Sequence, residues 1–120
     1  MSEKTFIELD RSRELLFNFR NTCLFEKMSG QSYLLFIQNV LSGRTPSFSD
    51  IADLIYCSLH STKGMCDLTK DKFFELMNDY TEKNSAIKAT QIVADAVSKS
   101  TFTKKMLEDA AQEMDSDEKK

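Results

Sequence analysis

The side chains with the greatest chemical reach in this sequence are three thiols and one imidazole: Cys23, Cys57, Cys66 and His60. Cys57-x-x-His60 followed by Cys66 comes nearest to a metal-binding spacing. A structural zinc site needs a fourth ligand with paired spacing, and Cys23 would have to supply it from far along the chain. An odd number of Cys with no secretory leader gives no disulfide framework, so free thiols are expected. A nucleophile–base pair would have to use His60. No nucleophile elbow surrounds any Ser, and Cys57 lies one helical turn before the imidazole. The simpler assignment makes Cys57 a small apolar helix residue and places His60 at that helix's polar end, where it meets the C-terminal dipole. The many carboxylates fall on expected solvent faces. The reading is a non-enzyme with no catalytic residue, no metal ligand and no cofactor.

Binding motifs are equally sparse. Asp67-Leu68-Thr69-Lys70-Asp71-Lys72-Phe73 resembles the entry to an EF-hand helix, but the alternating oxygen ligands, the Gly at the sixth position and the Glu at the twelfth are missing. No Gly-rich phosphate loop is present. Sixteen Lys and Arg against nineteen Asp and Glu give a net charge of −3, so no overall field draws the chain to nucleic acid or anionic lipid. Residues 47–59 and 68–80 could form consecutive helices, yet the second carries Glu75 and Asp79 where a groove-reading helix needs basic or amide side chains. The connecting loop is also long. No nucleic-acid partner is expected. The longest apolar runs, such as Tyr33-Leu34-Leu35-Phe36-Ile37, last about five residues against the roughly 20 that span a bilayer, so no membrane partner is expected either. A cytosolic protein is the expectation.

The elements that position these residues follow from hydrophobic period. At 120 residues the chain is expected to be one folding unit, mainly α with a small β part: an N-terminal β-hairpin and about five helices in a compact domain. Phe6, Ile7 and Leu9 form one short apolar stretch. Leu15, Phe17 and Phe19 alternate with Leu16, Asn18 and Arg20 in the next, which predicts two antiparallel strands joined through Asp10-Arg11-Ser12-Arg13. A helix capped by Asn21 and ended by Gly30 comes next, then one from Ser32 to Gly43. Ser47-Phe48-Ser49-Asp50 has capping-box spacing and opens a third helix. Asp67 or Thr69 caps a fourth, with Phe73, Leu76, Met77 and Tyr80 on its inner face. Ser85 starts a last long helix with a break near Ser98-Lys99-Ser100-Thr101. Residues 1–102 are expected to form the hairpin-plus-helices domain, and 103–120 a helical extension ending in a mobile acidic tail.

What remains after the chemistry is apolar surface. The helices at 32–42 and 48–60 are apolar on more than one face and offer more than a core of this size easily hides, which fits either an interaction surface or a pair of central helices. The candidate contact residues are Leu34, Leu54, Tyr56 and Phe74.

The hairpin, the segment Glu26-Lys27-Met28-Ser29-Gly30-Gln31-Ser32, the run Phe48-Ser49-Asp50-Ile51-Ala52-Asp53-Leu54-Ile55-Tyr56-Cys57-Ser58-Leu59 and Leu68-Thr69-Lys70-Asp71-Lys72-Phe73-Phe74-Glu75-Leu76 occur in an order that resembles the tail assembly chaperones of long-tailed bacteriophages. The resemblance covers about residues 5–100. Glu26, Gly30 and Ser32 match the family's Glu-x-x-x-Gly-x-Ser-like segment, while Arg11-Ser12-Arg13 stands where a Gly-Lys-like turn is usual. The resemblance implies a non-enzymatic chaperone made in the host cell cytoplasm and absent from the mature virion. It implies a homo-oligomer that binds the tape measure protein and keeps it soluble until tail tube subunits polymerise, with the tail tube protein as a further partner. Six Met and nine Phe suit such a role, since adaptable apolar side chains bind amphipathic helices without chemistry. The alternatives from other classes are a small helical DNA-binding or transcription-regulating domain, or a phage or host adaptor.

Overall fold

The computed structural model describes the backbone of residues 4–118 and the side chains of residues 4–112. Strand β1 (Phe6–Glu8) pairs antiparallel with β2 (Ser12–Glu14), with Ile7 opposite Arg13. The second strand therefore starts inside the segment expected as the connection, and the alternating Leu15–Phe19 stretch is not its body. The reason is Arg13. Its guanidinium is buried and grips Asp10 at 2.8 Å and Asp67 at 2.7 Å, which fixes the hairpin by charge rather than by the apolar alternation. Leu15 and Phe17 still alternate inward, on extended backbone tied by Leu15 N–H to Thr5 O and Leu16 N–H to Ser58 O. Phe19 leaves that face altogether: it is the first residue of a helix and 72% exposed.

Helix α1 (Phe19–Ser29) is capped by Asn18, whose side chain accepts the Asn21 N–H at 2.8 Å. The expected cap, Asn21, sits one turn inside and is buried. Its amide donates to Leu16 O at 2.9 Å and to His60 O at 3.0 Å, stitching the helix to two other segments. Gly30, at φ 73°, ends α1 in the left-handed conformation. Ser32 opens α2 (Tyr33–Leu41), its hydroxyl accepting the Leu35 N–H. The Glu26 carboxylate accepts the Tyr33 N–H at 2.8 Å. Glu26, Gly30 and Ser32 thus build one α1–α2 corner: a stop, a start and a side-chain cap across them.

Helices α3 (Phe48–Ser58), α4 (Lys70–Asn84) and α5 (Ala86–Lys99) begin at the side-chain caps Ser47, Thr69 and Ser85. The break near Ser100 is real and yields a sixth helix, α6 (Thr101–Glu118). The expected mobile tail lies mostly outside the described side chains. Helix α3 packs against α1 and α5, while α4 and α6 both lean on α5. Phe25 forms an aromatic knot with Phe36 and Tyr33, and the Tyr33 hydroxyl meets Thr103 Oγ1 at 2.9 Å in the interior. The chain is predominantly helical with a small β part. No described helix is long and apolar enough to cross a membrane.

Candidate functional site: an apolar groove

The thiol and imidazole are placed first by what holds them. Cys57 is fully buried, its Sγ 3.4 Å from Met28 Sδ, and burial pushes its thiol up to about 12. A thiol so protonated is a poor nucleophile at neutral pH. His60 Nδ1 lies 3.0 Å from Tyr56 O and 3.2 Å from Cys57 O, so its N–H satisfies carbonyls at the end of α3 as the sequence predicts. Among the described residues no three His, Cys, Asp or Glu side chains cluster closely enough to hold a metal ion.

The concave feature of greatest interest lies where α3, α4 and the start of α5 meet. Phe48, Ile51 and Ala52 of α3 form its first wall at i, i+3 and i+4. Phe74, Met77, Asn78 and Thr81 of α4 form the second at i, i+3, i+4 and i+7, and Ala86 and Ala89 of α5 close the end. Ser85 ends α4 and caps α5 at once, so the small first turn of α5 is held against the end of α4. The groove encloses about 410 Å³, a volume usual for a binding pocket. Phe48 is 55% exposed and Phe74 42% exposed, so the rim presents two aromatic rings to solvent. The Thr81 hydroxyl donates back to Met77 O at 2.9 Å and adds little polarity. Asp53 is the sole charged lining residue, with Lys70 Nζ 3.8 Å from its carboxylate.

Of the four candidate contact residues, Phe74 alone lines this groove. Leu54 is 1% exposed and belongs to the core, which corrects its expected role: α3 is apolar around its circumference because it is surrounded, not because it docks. Tyr56 is half-buried. Its hydroxyl donates to Leu68 O at 3.1 Å and its ring packs on Phe73 at 5.2 Å, so it anchors the 59–69 loop to α3. Leu34 is half-buried on α2, outside the groove lining. Phe48 was overlooked as a surface residue, although its place directly after the Ser47 cap was the available signal. A side chain in a helix's first position has no preceding turn to cover it.

A set of charges outside the groove fixes the hairpin. Hydrogen bonds from Arg13 hold the Asp10 and Asp67 carboxyls down at about 2, and both carboxylates in turn raise Arg13 above its ordinary value. Arg11 adds a contact to Asp67 at 3.0 Å. This cluster ties the hairpin to the 59–69 loop. Set against family models, curated proteins and solved structures, the chain matches none of them.

Proposed function

We propose that this chain is a tail assembly chaperone that binds a helical, aggregation-prone client, the tape measure protein, without catalysis. The reading rests on the apolar groove between α3, α4 and α5, with Phe48 and Phe74 solvent-exposed at its rim. Grooves of this kind take the apolar face of an amphipathic helix through anchors at i, i+3, i+4 and i+7. Met77 lies largely buried beneath the two rim rings, where a flexible thioether can adjust to differing segments of a long client. Several copies along one client would each bind weakly and gain avidity together, which keeps the client protected yet displaceable by polymerising tail tube protein. Further exposed apolar residues, Phe19, Leu35, Leu41 and Met65, lie outside the groove lining and are the proposed contacts for self-association. The proposed location is the host cytoplasm, with the protein absent from the mature virion.

Co-expression with the longest helical protein encoded immediately downstream tests this function. The expected outcome is a soluble co-purifying complex with the native chain and a largely insoluble client with Phe48→Ser/Phe74→Ser. A client whose solubility is unaffected by the native chain contradicts the proposal.

A further inference from the structure

We propose that the occupant of the groove is a cationic amphipathic helix, whose Lys or Arg side chains flank its apolar face and meet Asp53; this inference rests on the docking role just proposed. The groove lining is mainly apolar, with Ser49, Asn78 and Thr81 as its neutral polar members, and its single charge is the Asp53 carboxylate, whose ion partner Lys70 stands outside the lining. The whole of α3 carries two carboxylates, Asp50 and Asp53, and no basic residue. Lys70 approaches Asp53 at 3.8 Å, longer than a charge-assisted hydrogen bond, from a side chain half in solvent, so a cation that a partner brings closer competes with it for the carboxylate. A charge half-buried beside apolar walls acts through a lower effective dielectric than one in open water, which makes its sign a selector of partners.

The same sign argues against the chain's own exposed helix as occupant. The outer part of α6 holds Glu108, Asp109, Glu113, Asp115, Asp117 and Glu118, with no Lys or Arg from position 106 to 118. A second copy offering that segment in the groove would bring carboxylates toward Asp53. Like charges brought together at an interface exclude a partner.

Three fluorescent helical peptides with one shared Leu face and flanks of Lys, Gln or Glu, titrated into the full chain by fluorescence polarisation, test the proposal. The Lys peptide is expected to bind about tenfold tighter than the Glu peptide at about 50 mM salt, with the gap closing near 1 M as the Debye length falls to about 3 Å. Asp53→Asn should shrink that preference about threefold and leave the Gln peptide unchanged, while Lys70→Gln should widen it. Equal or reversed affinities, or a preference indifferent to both variants, overturn the proposal. Phe48→Ser/Phe74→Ser should weaken all three peptides alike; if it weakens none, the groove is not the docking site and the underlying reading fails regardless of charge. Should no peptide bind and Phe74→Asp dissolve an oligomer in sedimentation, the groove holds a second copy and the cationic client is refuted.

Discussion

At the scale of single residues, the structure separates apolar side chains that hold the fold from those left at the surface. Leu54 and Phe74 had equal standing in the sequence, but one is enclosed and the other looks outward. Leu54→Ala is expected to cost about 2–5 kcal/mol in urea unfolding, as cavities in packed cores do. Phe74→Ala should stay within about 1 kcal/mol while removing client binding, because its ring is only partly covered. Arg13 gives a second residue-scale expectation. Asp10 and Asp67 titrate well below their ordinary value because Arg13 hydrogen-bonds their charged forms. Their folded-state pKa is depressed, so the stabilisation is complete above the unfolded value of about 4 and fades as pH falls toward about 2. In Arg13→Leu, carboxyl NMR titrations should place both groups near the ordinary Asp value. Persistence of the low values in that variant would assign them to another cause.

At the scale of elements, the starts of helices are written locally and were therefore legible. Ser32, Ser47, Thr69 and Ser85 each accept a backbone N–H three residues on, a relation contained within one turn of sequence. Ser85 does so at φ 69° and ψ 155°, a conformation that costs a residue with a Cβ about 1–3 kcal/mol. Ser85→Gly should relieve that strain and raise stability by about 1 kcal/mol, since Gly is nearly as good a cap. Ser85→Ala keeps the strain and loses the cap, so it should lower stability by about 1 kcal/mol; thermal melts of the two variants moving in the same direction would contradict this account. The start of α1 is as local as these, since Asn18 accepts the Asn21 N–H three residues on, whereas the second strand and the inward placement of the Asn21 side chain depend on distant partners. The strand is fixed by Arg13 meeting Asp67, 54 positions away, and Asn21 is drawn inward by His60 O, 39 positions away. No window on the sequence contains both partners. Phe73-Phe74 belongs with the local cases: helical period groups Phe73 with Met77 and Tyr80 on the inner face, and the structure buries those three while leaving Phe74 42% exposed.

At the scale of the whole molecule, the exposed apolar side chains are not gathered on one face of α2 and α3. Phe48 and Phe74 stand in a groove made by three helices, and Phe19, Leu35 and Met65 stand apart on other segments. Sequence period can count apolar residues on a face, but the concavity depends on how α3, α4 and α5 lie against one another, which is why the groove as such was not legible. The account's central claim is that this concavity receives the client. Methyl NMR of the full chain titrated with tape measure protein segments tests it most directly. The Met77, Ala52 and Ala89 methyls are expected to shift or broaden on addition, while Met65, in the loop beyond the other end of α3, stays in place. Shifts confined to Met65 and Leu35, with the three groove methyls unmoved, would contradict it.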